Sequence, residues 1–287
     1  MTAAISPKAF IITGAARGIG RGLSRLLLQK GHRVLLLDSN TSELSHTATL
    51  LSRTFTRGTN FEIHLCNLRS STEITTAVSS AKSFFPGGKL DVLINNAGYT
   101  AGVGGAKLED DEFLEVWNAT LETNLTGTVL MTRACLGMLR QPHTDDDSSA
   151  SSNSSSSSII NISSTRAHQS EAHSESYAAS KAGLLGLSHA LSVSLNESPS
   201  KKTRRIRVNT ILPGWIHVGN ENSSADENGT AWEEGLTEED HAWHLTGRVG
   251  RVEDVLRAVE YLVDAEGVTG SEVVVDGGVS RRMVYPE

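Results

Sequence analysis

The sequence predicts an α/β protein built on one doubly wound parallel sheet, a three-layer α/β/α arrangement. Three observations point there. Short apolar runs alternate with amphipathic stretches along most of the 287 residues. The runs are continuous rather than alternating, as strands buried on both faces require. A glycine-rich turn, TGAARGIG, joins the first run to the first helical stretch. Parallel neighbours need a crossover, and a helix is the usual one, so this rhythm reads as a parallel sheet.

Taken in order, AFIIT is the first strand, and GRGLSRLLLQKG follows it with leucines at helical spacing. RVLLLD, FEIHL and LDVLIN are the next strands, separated by the helical stretches SELSHTATLLSRTF and STEITTAVSSAKSFF. A long helix passes through Asn124 and Trp117, which sits at core spacing, and ends near Leu139. SIINIS, IRVNTIL and EVVVD complete the sheet, with SESYAASKAG opening a helix between the first two. Such short connections leave little room for a second domain, so residues 1–287 are read as one domain.

Two segments break the rhythm. Residues 141–157, QPHTDDDSSASSNSSSS, carry almost no apolar side chain and are expected to form a disordered, dispensable surface insertion. Residues 215–247 are long for a connection and contain Trp215, Trp232 and Trp243. Long loops in compact domains often serve as binding loops, and a substrate lid is expected here.

Composition excludes several classes. Net charge is −7, and the densest basic run, KKTRRIR, leads into an apolar stretch, so it reads as a helix end and strand entrance rather than a nucleic-acid footprint. No apolar run reaches membrane-spanning length. The opening MTAAISPKAF lacks the pattern of a secretory signal, which makes the cytosol the expected location. Cys66 and Cys135 match no metal or redox spacing and are expected to be buried thiols. His168, His173, His217, His241 and His244 likewise fit no common metal site, so no metal is expected.

The residues that carry chemistry are more specific. Gly14, Gly18 and Gly20 lie between the first strand and its helix, where glycine permits a tight turn and a phosphate can approach the backbone amides. Asp38 ends the second strand, the position of a carboxylate that bonds an adenosine ribose. Its competing role is a helix N-cap, which Ser39 or Asn40 supply equally well. NNAG ends the fourth strand, placing Asn96, Ala97 and Gly98 where backbone can come close to a ligand. Tyr177 and Lys181 stand one helical turn apart on one face, as an acid/base pair requires.

TGAARGIG, NNAG, NISS and YAASK, in that order, resemble the short-chain dehydrogenase/reductase family over essentially the whole chain apart from the serine-rich segment. The chain is most similar to a branch with SSTRA before the tyrosine helix and PGWI after the sixth strand. The resemblance implies a Rossmann-type fold and a catalytic tetrad of Asn124, Ser164, Tyr177 and Lys181, with Ser163 the structural neighbour of Ser164. It also implies cofactor contacts at Gly14, Arg17, Gly18, Ile19, Gly20, Asp38, Asn67, Leu68, Asn96, Ala97 and Gly98. Further contacts fall on Asn124, Tyr177, Lys181, Pro213, Gly214 and Ile216. Two departures stand out: Val218 where a threonine is common, and Asn67 where an aspartate is usual.

The implied activity is hydride transfer between NAD(P) and a secondary alcohol or ketone, NAD preferred because Asp38 repels the extra phosphate of NADP. The alternatives are a dinucleotide sensor or scaffold without turnover, and a non-redox biosynthetic enzyme on the same fold. Lys181 is expected to lower the pKa of Tyr177 and to hold the nicotinamide ribose, and Asn124 to join a proton relay through its backbone carbonyl. Arg166, Glu171 and Glu175, just before Tyr177, suit either recognition of a polar substrate or a loop ion pair. A homo-oligomer, tetramer or dimer, is the expected assembly, with no nucleic-acid or membrane partner.

Overall fold

The computed structural model describes residues 6–100, 106–142, 156–197 and 203–283. Seven strands form one parallel sheet in the order β3-β2-β1-β4-β5-β6-β7. They are β1 (Ala9–Thr13), β2 (Arg33–Asp38), β3 (Phe61–Leu65), β4 (Val92–Asn95), β5 (Ser156–Ile162), β6 (Arg205–Pro213) and β7 (Glu272–Val275). The strand order reverses between β1 and β4, so crossovers on either side leave in opposite directions and a crevice opens above that seam.

Burial explains why the strands read as continuous apolar runs. All of β1 is buried, whereas the edge strand β7 alternates between exposed and half-buried positions. Phe10 and Ile12 project to one face, where α1 (Gly18–Gln29) brings Leu23 and Leu27 and α9 (Val252–Asp264) brings Val255 and Val259. Ile11 and Leu93 project to the other, against Ile74 and Ala77 of α3 (Ser71–Phe84) and Met131 and Cys135 of α5 (Gly127–Leu139). Between β2 and β3, α2 (Thr41–Leu51) completes the first face. Both cysteines are free and buried.

The helix through Asn124 is not continuous. α4 (Phe113–Leu121) widens into a π-helical turn at Glu122–Thr126 before α5 resumes. Such turns often mark functional positions because they redirect side chains and carbonyls. Trp117 packs on Phe113 with ring centroids 6.0 Å apart. α6 (Glu175–Ser194) crosses the same region and anchors the sheet from within. Asn95 donates to Asn161 at 2.8 Å, and Asn161 donates to Ser188 of α6 at 2.8 Å. Thr210 donates to the same hydroxyl at 2.8 Å, so three strands in register are tied to one helix. Among the described residues, no helix is long and apolar enough to cross a membrane.

The serine-rich segment ends earlier than its composition suggests. Residues 143–155 lie outside the described residues, but Ser156 and Ser157, expected within the insertion, are buried strand residues paired with Arg205 and Ile206. Ser156 accepts from the Arg207 side chain at 2.9 Å, so arginines of the neighbouring strand supply what apolar contacts would supply elsewhere. Ser157→Pro, which puts a ring where the buried strand needs a backbone donor, is therefore expected to lower the thermal midpoint by roughly 3–5 °C, for about 2 kcal/mol lost. Calorimetry on that substitution checks it; an unchanged midpoint would place the strand start at Ser158.

Candidate active site

The crevice at the β1–β4 seam is a cavity of about 670 Å³. Its floor is held by two short polar ties. The Thr13 hydroxyl accepts the backbone amides of Asn96 and Ala97, both at 3.0 Å. The Asn96 side chain donates to the carbonyls of Thr13 and Gly14, also at 3.0 Å. A Cβ on Gly14 would stand 2.7 Å from the Ala97 Cα, so only glycine lets the two strand ends meet. Thr13 carried no role in the sequence reading, although it precedes the glycine-rich turn directly.

Gly18 turns the chain into α1 with φ of +62°, and a Cβ there would project into the crevice with only Val218 within 4 Å. α1 has no side-chain cap and no carboxylate in its first turn. Its amino end thus offers partial positive charge and backbone donors to an anion. Asp38 sits beside this turn. One of its carboxylate oxygens accepts the Ala16 amide and the other the Asn40 amide, both at 2.9 Å. The N-cap of α2 is Asn40, which accepts from the Glu43 amide. Asp38 is therefore not the cap and remains on the crevice wall beside Ser39. The glycine turn, a carboxylate fixed on the wall by two backbone amides and a cavity of this size fit a nicotinamide dinucleotide.

Of the residues implicated from sequence, Arg17, Ile19, Asn67, Leu68, Ala97, Gly98, Pro213 and Gly214 also line the crevice. Three do not. Gly20 lies behind it, where a Cβ would meet the Gly14 carbonyl at 2.1 Å. The Ile216 side chain is buried in the core and the residue bridges to Gly250, so the contact that the resemblance implies there falls to its backbone alone. Asn124 is fully buried. It accepts the Tyr99 amide at 2.7 Å and donates to the Tyr99 carbonyl and the Ser180 hydroxyl, each at 3.0 Å. Its own carbonyl accepts from Thr128 at 2.9 Å. Asn124 thus ties the strand end after NNAG to the helix carrying Tyr177. Cys66 is on the wall too, but burial above all, with Glu73 adding to it, pushes its thiol up to about 12.

Ser164, Tyr177 and Lys181 meet on the same wall. Ser163 is buried and donates to the Lys181 carbonyl at 2.8 Å, a structural bond. Ser164 accepts the Arg166 amide at 3.1 Å and is hydrogen-bonded to Tyr177. Arg166 pairs with Glu171 at 2.6 Å. The Lys181 ammonium donates to the Ile162 carbonyl at 2.9 Å and stands 5.5 Å from the Tyr177 ring centroid.

The electrostatics correct one expectation. The Tyr177 pKa is raised, not lowered: burial outweighs the opposing Ser164 hydrogen bond and the Arg166 charge. Burial also pulls Lys181 down to about 8. Its hydrogen bond goes to the Ile162 carbonyl and not to the phenol oxygen.

A dinucleotide-binding α/β protein is the class that this fold and crevice define. Residues 14–280 match the family model described as Enoyl-(Acyl carrier protein) reductase. An uncharacterized oxidoreductase of Thermotoga maritima is 31% identical, with 98% of each chain covered. The 3-oxoacyl-(acyl-carrier-protein) reductase FabG of Rickettsia felis is 29% identical, over 96% of this chain and 98% of that protein. Among solved structures, an actinorhodin polyketide ketoreductase variant with NADPH is 29% identical with a TM-score of 0.72, covering 96% of this chain and 98% of its own. An apo SCOR enzyme from Clostridium thermocellum is 27% identical with the same TM-score of 0.72, covering 98% of this chain and 96% of its own. The chain belongs to the short-chain dehydrogenase/reductase family, and it is an oxidoreductase of that family that uses a nicotinamide cofactor.

The low value of Lys181 has a thermodynamic consequence. Its folded pKa of about 8 lies below the ordinary 10.5, so between those values the unfolded chain binds more protons and stability rises with pH. Below that window the folded protein carries the full cost of a buried ammonium. Lys181→Met removes that cost and leaves only the Ile162 carbonyl without its donor. The variant is expected to melt roughly 2–4 °C higher at pH 7 while losing turnover, and to lose that advantage towards pH 10.5. Thermal melts across pH check it; a lower midpoint at pH 7 would contradict the burial argument.

Proposed function

We propose that the enzyme interconverts a ketone and a secondary alcohol with NAD as its preferred cofactor. The observation that carries this is the convergence of Ser164, Tyr177 and Lys181 on the wall of a crevice whose other end is formed by Gly18, Asp38 and Asn67. The bound nicotinamide would supply or accept the hydride. Gly14, Gly18 and the amino end of α1 would hold its diphosphate, Asp38 the adenosine ribose, and Lys181 the nicotinamide ribose.

The side chains then divide the remaining work. Ser164 donates to the substrate oxygen and orients it beside Tyr177. Tyr177 gives its proton to that oxygen as the carbonyl is reduced, and takes it back in oxidation. Asn124 acts from behind the wall by holding Tyr99 and α6 in place. Residues 215–247 cover the substrate end as a lid. A homo-oligomer is supported by apolar side chains left exposed on the helices, Leu114 on α4, Val129 on α5 and Val193 on α6, and the cytosol is the compartment we assign. NADP is the second reading, favoured by Arg17 on the crevice wall and by the similar actinorhodin ketoreductase, whose structure holds NADPH.

Tyr177→Phe keeps the ring and its packing but removes the transferable proton. Turnover on a ketone panel is expected to fall by about 10²–10⁴-fold with nucleotide affinity nearly unchanged, and Ser164→Ala to fall in the same way. Near-normal turnover in Tyr177→Phe would end the proposed mechanism.

Asp38 meets a ribose phosphate with like charge. NAD is expected to bind at least about tenfold more tightly than NADP, and Asp38→Ser to close that gap. Direct titration of both nucleotides decides it, tighter NADP binding in the unaltered protein favouring the Arg17 reading.

A further inference from the structure

The chain after β6 is fastened to the nucleotide side of the molecule by a cluster of charges. Arg21 of α1 is buried, and its guanidinium meets two carboxylates from the lid segment, Glu221 at 3.3 Å and Asp226 at 2.7 Å. Arg25, one turn further along α1, meets the other oxygen of Glu221 at 2.6 Å. Asp226 also lies 2.7 Å from the His46 ring of α2. Glu43 of α2 accepts both the amide and the hydroxyl of Ser223, at 3.0 and 2.7 Å. Two helices of the nucleotide-binding half thereby grip residues 221–226.

Glu221 does more than pair. Its backbone carbonyl accepts the amide of Gly18 at 2.8 Å. Gly18 is the first residue of α1 and the one with φ of +62°, so this bond fixes the turn that aims the following amides into the crevice. The Glu221 side chain is only 5% exposed, and a buried carboxylate persists only when its charge is well matched. Two arginines on α1 match it, and the same residue's carbonyl is thereby pinned over the first turn of that helix.

We propose that Glu221 is a positioning residue for the diphosphate of the dinucleotide. Its clamped carboxylate holds its own carbonyl on Gly18, so the phosphate-binding turn is formed before the nucleotide arrives. The inference rests on the dinucleotide reading of the crevice. It assigns a part of the lid segment to cofactor binding rather than to substrate closure.

Isothermal titration of Glu221→Gln with NAD and, separately, with adenosine tests it, because adenosine has no diphosphate. NAD affinity is expected to fall about tenfold, adenosine affinity and the turnover at saturating nucleotide to change less than about twofold, and Glu221→Asp to recover most of the loss. Should Glu221→Gln fail to fold, Arg25→Gln removes only the half-exposed partner and is expected to weaken NAD by about threefold with adenosine unchanged. Equal NAD affinity in variant and unaltered protein, or parallel losses for NAD and adenosine, would overturn the positioning role. Absence of NAD and NADP binding in the unaltered protein would instead overturn the functional reading on which it stands.

Discussion

The structure depends on the seam between β1 and β4. There the sheet changes the direction in which it was wound, and the two strand ends must lie close enough to share a floor yet leave a crevice above it. Thr13 and Asn96 meet that demand with four hydrogen bonds across a distance that Gly14 alone permits. Each of these bonds uses a backbone group at the end of a parallel ladder, where a buried amide or carbonyl would otherwise lack a partner. The glycine turn starts one residue later, so the tie that closes the sheet also sets where α1 points.

The acid/base end is built by a second set of ties that converge on α6. Asn124 and Ser180 spend their side-chain polar atoms on backbone and on each other, and Ser163, on the wall itself, gives its hydroxyl proton to the Lys181 carbonyl. Beside it on the wall stand Ser164, Tyr177 and Lys181. Packing that holds them also dries them, which is why a lysine one turn from a tyrosine does not depress its pKa here. Proximity on a helix face and electrostatic coupling are separate matters: the ammonium points to the Ile162 carbonyl and meets the phenol ring at its face.

The long connection after β6 is ordered by two separate sets of contacts. Its early part is held by Arg21, Arg25, Glu43 and His46, while its later part forms α8 (Glu238–Trp243) among aromatic side chains such as Trp215, Trp232 and Trp243. Trp232 donates to the His217 carbonyl and stacks under Arg251 with 3.9 Å from guanidinium to ring centroid. Such contacts order a segment whose composition alone reads only as a loop.

The sequence by itself determined the sheet class, the succession of strands and helices along the chain, and most of the crevice wall, while the order of the strands in the sheet came from the folded chain. Apolar runs, a glycine turn and YAASK are local signals, and each names its own position along the chain. Tertiary structure decided what local signals cannot encode. Ser156 and Ser157 are strand residues because Arg205 and Ile206 pair with them and Arg207 reaches one of them, which a serine run gives no hint of. The Ile216 side chain and Gly20 lie behind the crevice because their neighbours, not their types, choose the direction they face. Arg21 and Glu221 lie far apart in sequence, so only the folded chain could bring a lid carboxylate onto the helix that starts the nucleotide site.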